Sequence, residues 1–243
     1  MSSGSTGSVE VMRPTVPSVP SVIVFDVNET LSDLSALGAR FVEVGASASA
    51  APVWFAAILR DGFAQVITGE NPAFAEVARE LLWAQLSVAQ VNRSVAEAVD
   101  HVMDGFAGLE LHADVASAVD RLHQDGFRLA TLSNGATSVA DRLLTSGNVR
   151  ECFGRLLSVE DAGAWKPSPV AYRYAASELG VAPEDMLLVA VHPWDVDGAR
   201  RAGLQSAWVN RSGASFPAIF TEPTYTVSSL EELAELWTEQ PQV

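Results

Sequence analysis

Residues 21–33 read SVIVFDVNETLSD. Four apolar residues, Val22, Ile23, Val24 and Phe25, run straight into Asp26, and the chain then turns small and polar. A short run this rich in β-branched and aromatic side chains predicts a strand covered on both faces, as in a parallel sheet. Asp26 then stands at the carboxyl edge of that strand, the edge at which open α/β sheets bind ligands. A strand-end aspartate on its own can also be a turn or cap residue, so the rest of the chain has to decide.

Outward from this strand, helix and strand take turns after Gly108. Helices are expected from Asp114, after Gly135, from Ser168 and over Asp195–Gly203. Strands are expected over Arg128–Leu132, near Leu156–Val159, and over Met186–Val191 and Gln205–Val209. A last helix opens at Ser229, with Glu232 three residues on in capping-box spacing. Alternation of this kind predicts an α/β fold, a doubly wound, Rossmann-like parallel sheet with helices on both faces. The stretch between the first strand and this run shows helical patterns and no strand; in it Phe74, Val77, Ala78, Leu81 and Leu82 recur at helical spacing. The expected organisation is therefore a leader over 1–20, a core of 21–34 and 112–243, and an all-helical cap inserted over 35–111.

With 243 residues, 48% hydrophobic and 19% charged, the chain can bury a full core. No apolar run approaches the roughly 20 residues of a membrane span, and the N-terminus lacks the basic start and apolar block of a signal peptide. The leader reads as flexible and the protein as cytoplasmic. Cys152 is the only cysteine, which removes disulfide frameworks and multi-cysteine metal sites and makes it a candidate buried small apolar residue. Fifteen basic against thirty acidic residues give a charge of −15, opposed to nucleic acid and to anionic membranes as partners. An anionic substrate must then find a local cation. Lys166, in EDAGAWKPSP, is the only lysine among those fifteen.

Four polar groups fall at or beyond carboxyl ends of predicted strands: Asp26, Ser133 with Asn134 (TLSNG), Lys166, and Asp195 (VAVHPWDVDG). Singly, Ser133 reads as a helix cap, Lys166 as a solvated loop residue and Asp195 as an N-cap. Those readings leave their shared rim unexplained. In the cap, Arg60 shares a helical face with Ala56, Ala57, Phe63 and Ile67. It is either an arginine snorkelling at the edge of the stripe or a cation facing the cleft between cap and core.

FDVNETL, LSNG, the KPSP lysine and the WD segment, in this order around a helical insertion, resemble the four motifs of the haloacid dehalogenase superfamily, over nearly the whole chain. The resemblance implies that Asp26 is a nucleophile, aimed into the cleft by the strand it ends. Phosphatases of the superfamily carry a second aspartate two residues after the nucleophile, as the proton donor, and an acidic magnesium ligand in the fourth motif. This chain has Asn28 at the first position, and Ala190 and Val191 at the second. An amide gives up no proton at neutral pH, and valine cannot ligate a hard cation. Both losses suit the (S)-2-haloacid dehalogenases, whose halide leaves without a proton, so no metal and no other cofactor is expected. The SNG of the second motif and the spacing of Lys166 to Tyr172 are similar to theirs, and so is a cap arginine, for which Arg60 is the candidate. Departures exist. Asn28 and Glu29 stand where these enzymes usually have Tyr and Gly, and His192 and Ala190 stand where they have Asn and, two places before it, Ser. The first bears on the substrate pocket and the second on how the hydrolytic water is held; His192 either orders or activates that water or caps the next helix.

The resemblance thus implies hydrolysis of a small 2-haloacid to the 2-hydroxyacid through an ester on Asp26. Ser133, Lys166 and backbone N–H groups at Val27 and Asn28 would bind the substrate carboxylate. Arg60 and Asn134 would receive the halide, and Tyr172 would line the site. Asp195 would orient or deprotonate the water and pair with Lys166, and Thr30 would steady the nucleophile loop. The family pattern favours the L-enantiomer and a homodimer. Two other readings stand beside this one: a phosphomonoesterase of the same superfamily with an altered metal site, and a non-catalytic member that only binds a small acid.

Overall fold

In a computed structural model of the protein, residues 18–237 are described. The expected leader therefore lies outside the described residues, apart from 18–20. The sheet has six parallel strands: β1 (Val22–Phe25), β2 (Arg128–Ser133), β3 (Phe153–Ser158), β4 (Met186–Ala190), β5 (Gln205–Val209) and β6 (Tyr225–Val227). Their spatial order is β3-β2-β1-β4-β5-β6. Chain order reverses on either side of β1, which lies between β2 and β4. The carboxyl end of β1, with Asp26, is thus at a switch point of the topology, where open α/β sheets leave a crevice.

Four helices follow β1, namely α1 (Leu37–Glu43), α2 (Ala50–Ile67), α3 (Phe74–Ser87) and α4 (Val95–Ala107). The chain enters and leaves this insertion side by side, where Ser32 and Leu111 form an antiparallel bridge. Six further helices alternate with the remaining strands: α5 (Val115–Gln124), α6 (Thr137–Ser146), α7 (Val159–Ala162), α8 (Pro169–Leu179), α9 (Pro193–Arg201) and α10 (Leu230–Glu235).

The alternation along β1 shows both faces covered. Val22 and Val24 join a core cluster with residues of α8, α9 and the four inserted helices, while Ile23 and Phe25 join another with α5, α6 and α10. Every residue of β1 is fully buried, so the run needs no polar side. No helix among the described residues is long and apolar enough to cross a membrane.

Several local expectations are corrected. β3 begins at Phe153, not near Leu156, and its exposed Gly154 and Arg155 hide the start of an edge strand. β6 was not foreseen. Ser229 does accept from the Glu232 N–H at 3.1 Å, but the Glu232 carboxylate bonds Ser228, so the box is only half formed. A reciprocal box stands instead at Ser94 and Glu97, opening α4. Cys152 is only partly buried, its thiol beside Asp120 at 3.3 Å; burial and then that carboxylate push it up to about 11.

Arg60 is the correction that matters for function. The buried stripe of α2 consists of Ala51, Trp54, Phe55, Ile58 and Gly62. Ile58 and Gly62 each lie two residues, about 200° of helical rotation, from Arg60. Its side chain is 71% exposed and forks onto Asp61 at 2.6 and 2.8 Å. The face is chosen by Gly62, which lies against the Trp165 ring so closely that a Cβ there would overlap it. Arg40, the other cation near the start of the insertion, is also exposed and pairs with Glu43.

Candidate active site

Asp26 ends β1 only 4% exposed, and its two oxygens are fully engaged. Lys166 Nζ donates to Oδ1 at 2.8 Å, Thr30 Oγ1 donates to Oδ2 at 2.7 Å, and His192 Nδ1 lies 3.2 Å from Oδ2. Thr30 is itself fixed, accepting from the Val191 N–H at 3.1 Å while Arg211 holds its carbonyl at 3.1 Å. Burial alone would raise the Asp26 carboxyl. The charge of Lys166, then the hydrogen bond and charge of His192, outweigh it and hold the group well below the usual carboxylate range. Asp26 is an ionised carboxylate at neutral pH.

Lys166 is completely buried, and its ammonium bridges Asp26 to Asp195 Oδ2 at 2.6 Å. Burial pulls its pKa down, but Asp195 and Asp26 raise it, so the ammonium stays charged. Asp195, also fully buried, accepts from Tyr172 Oη through Oδ1 at 2.6 Å. Burial, and after it the neighbouring Asp26 charge, push Asp195 up against the pull of Lys166. With both oxygens in short bonds, Asp195 holds the ammonium in place. Tyr172 is fully buried as well, and its hydroxyl is held on Asp195.

The second-motif pair makes contacts that the sequence did not announce. Asn134 Oδ1 accepts from the Lys166 N–H at 2.9 Å, and its Nδ2 donates to the Lys166 carbonyl at 3.3 Å. Both ends of the amide clasp the lysine loop, and one of the two Nδ2 hydrogens is left without a partner in these bonds. Ser133 Oγ accepts from the Gly135 N–H at 2.9 Å, and both it and the Asn28 amide lie within 4.0 Å of where a Cβ on Gly135 would stand. Trp165, the neighbour of Lys166, donates to the Pro72 carbonyl at 2.9 Å and stacks on Phe74 at 5.5 Å. The lysine loop is thereby anchored to the helical insertion. Val27 is buried in the core, so only its backbone is open to a substrate role.

His192 is the N-cap residue of α9, but its side chain makes no capping hydrogen bond. Its ring bridges Asp26 and Glu29 Oε2, at 2.8 Å from the latter, between Phe55 (6.4 Å) and Trp194 (4.9 Å). Burial would lower it; hydrogen bonds to Asp26 and Glu29, and their charges, raise it to about 9. A cleft of about 600 Å³ is lined by Glu29 and His192 together with Leu34, Leu37, Pro52, Phe55 and Trp208. Asp26, in contact with His192, is not among the lining residues. Three partners were missed in the sequence: Glu29 as the carboxylate on His192, and Arg211 with Asp114 (2.8 Å), which together brace the Thr30 loop. Asp114, at a helix start, and Glu29, a departure from the family pattern, carried a signal, but not for these contacts.

No cluster of three acidic, His or Cys side chains able to hold a metal occurs among the described residues. Near the nucleophile, Asn28 and Val191 offer a hard cation no carboxylate, and the Lys166 ammonium occupies the space between Asp26 and Asp195.

A family model for haloacid dehalogenase-like hydrolases matches residues 20–203. Haloacetate dehalogenase H-2 of Moraxella sp. (strain B) is 28% identical over 216 residues, 88% of this chain and 96% of that protein. (S)-2-haloacid dehalogenase 2 of Pseudomonas sp. (strain CBS-3) is 28% identical over 219 residues, 88% and 94% of the two chains. Among solved structures, a dehalogenase with an intermediate complex superposes with a TM-score of 0.83 at 27% identity, covering 92% of this chain and 97% of the other. The L-2-haloacid dehalogenase of Xanthobacter autotrophicus, at 23% identity and a TM-score of 0.82, shares the fold over 92% and 100%. Sheet order, a strand-end aspartate under a lysine and a match over most of the chain agree, and the protein belongs to the haloacid dehalogenase-like hydrolase family.

Proposed function

We propose that the protein hydrolyses a small 2-haloacid to the 2-hydroxyacid through an ester on Asp26, in the crevice between a core of 21–34 and 112–243 and a helical cap of 35–111. The observation that carries this reading is the nucleophile's setting. Asp26 is kept ionised by an ammonium that also takes the place between two carboxylates, while Asn28 and Val191 stand where a phosphatase needs a proton donor and a magnesium ligand. A halide leaves as a stable anion and needs neither.

In the first step an Asp26 oxygen attacks the α-carbon in line with the halide; the carbon–oxygen bond forms as the carbon–halogen bond breaks, with inversion. Ser133 and the backbone N–H groups of Val27 and Asn28 bind the substrate carboxylate. In the second step water attacks the ester carbonyl and releases the hydroxyacid, with Lys166 and Thr30 stabilising charge on the Asp26 oxygens. The relatives, a haloacetate dehalogenase and (S)-2-haloacid dehalogenases by name, support this substrate class and the L-series. The reading takes the protein as a cytoplasmic homodimer. A panel of chloro-, bromo- and fluoroacids assayed for free halide, with phosphate monoesters assayed beside them, tests it. Halide from at least one L-2-haloacid is expected; magnesium-dependent phosphate release with no halide from any acid would overturn it.

A further inference from the structure

We propose that His192, oriented by Glu29, is the general base that delivers water to the Asp26 ester. The inference rests on the dehalogenase reading and assigns the proton transfer of its second step. A base for that step must reach, directly or through one water, the carbon of the Asp26 carboxyl. Asp195 does not qualify: it is fully buried behind Lys166, and each of its oxygens already accepts a 2.6 Å bond. His192 stands 3.2 Å from Asp26 Oδ2, with its other nitrogen 2.8 Å from Glu29, and it lines the open cleft, as Asp26 and Asp195 do not. Water arriving from the cleft meets this ring before it meets Asp26.

Glu29 is held for the purpose. Its backbone is in the left-handed region at φ 62°, uncommon for a residue with a side chain. Ser32 Oγ accepts from its N–H at 3.3 Å, and His112 Nε2 contacts its carbonyl at 3.0 Å. The charged groups facing His192 are Asp26 and Glu29, both from the segment after β1; α2 and α9 present the uncharged rings of Phe55 and Trp194, and Lys166 lies beyond Asp26.

This arrangement switches the ring as the reaction proceeds. Before reaction both carboxylates keep the ring protonated, up to about pH 9. Forming the ester turns Asp26 neutral and deletes one of the two anions that raise it, so the imidazolium releases its proton to the cleft. Neutral His192 then takes one proton from water as the hydroxyl adds to the Asp26 carbonyl carbon. Collapse breaks the bond between that carbon and the alkyl oxygen; the departing alkoxide takes the hydroxyl proton. Asp26 is again a carboxylate and His192 again an imidazolium. Over one cycle a haloacid and water become a hydroxyacid, a halide and a proton.

The test uses the full chain with L-2-chloropropionate in rapid-quench mixing, measuring chloride and the mass of the peptide containing Asp26. His192→Gln keeps a hydrogen-bonding side chain but cannot accept the proton. It should release about one chloride per site in a burst, accumulate the ester on Asp26, and turn over on the order of 10² to 10⁴ times more slowly. Glu29→Gln should slow ester hydrolysis less and move its acid limb to lower pH, because removing the carboxylate lowers the pKa of His192. That shift is one a merely structural role would not produce. Ester hydrolysis at the wild-type rate in His192→Gln, or loss of chloride release without ester, overturns the inference, as does an unmoved limb in Glu29→Gln. A wild-type protein that releases no halide from any 2-haloacid overturns the dehalogenase reading first, and this one with it.

Discussion

Replacing Lys166 with Met removes a charge that two buried carboxylates share. The ammonium lies 2.8 Å from Asp26 and 2.6 Å from Asp195, and none of the three groups is more than 6% exposed. Methionine fills much of the same space, so the perturbation is electrostatic. Breaking a buried pair by removing one partner costs roughly 3 to 5 kcal/mol, because the remaining charge stays desolvated. The system escapes by binding a proton on one of the carboxylates. Asp195, already pushed up by burial and by Asp26, takes it first, and Asp26 rises as well once its largest lowering influence is gone. At about 1.4 kcal/mol per factor of ten, the lost stabilisation corresponds to about two to three and a half decades in rate if it falls on the nucleophile. The sign with pH follows. Depressed as it is, wild-type Asp26 remains ionised down to low pH and imposes no limb in weak acid; Lys166→Met should show one as Asp26 protonates there. Halide release between pH 4 and 8, with urea unfolding of the same variant, measures both effects. A variant within threefold of wild-type rate, with no new acid limb, would refute this account of the ammonium.

Arg60→Ala should leave halide release unchanged for both chloro- and bromoacids and shift stability by no more than about 0.5 kcal/mol, since the guanidinium is on the outer face; a rate loss in steady-state assays would return it to the cleft. Gly62→Ala should destabilise by about 1 to 3 kcal/mol in urea unfolding, because its Cβ meets the Trp165 ring between insertion and lysine loop; an unchanged midpoint would contradict that packing. His192 contributes stability fully present below its unfolded pKa, near 6.5, and lost as pH rises through about 9, so wild-type unfolding free energy should decline over that window and His192→Gln should lack that decline; parallel curves would sink the linkage. Halide release should survive EDTA, and added magnesium should not create efficient phosphatase activity, as Asn28 and Val191 supply neither the acid nor the ligand; chelator-sensitive turnover would count against the branch assignment.

Much of the sheet was legible because β1 and β4 are short, wholly apolar runs, and β2 (RLATLS) and β5 (QSAWV) are short segments with apolar residues at their centre or end, recognisable from local sequence. β6 has three residues and exists through its pairing with β5, so nothing local announces it. The positions of Asp26, Thr30, Lys166 and Asp195 were readable because the first three stand in turns or loops beyond predicted strands and Asp195 in the first turn of the helix that follows one, where topology fixes the location. Arg60 failed for a different reason. α2 is apolar on most sides, and its buried face is decided by Trp165, a residue far along the chain that local periodicity cannot see. Glu29 on His192 and Asn134 on the Lys166 backbone are likewise contacts between distant segments.

The central claim is covalent chemistry at Asp26, and one measurement reaches it directly. With enzyme in excess over L-2-chloropropionate in heavy-oxygen water, a single turnover should leave the label in the Asp26 carboxylate, read by mass spectrometry of the peptide containing it, and leave the hydroxyacid unlabelled. Asp26→Ala should release no halide at all. Label found wholly in the first-turnover product, with the Asp26 peptide unlabelled, would mean that water attacks the substrate directly and would contradict the account.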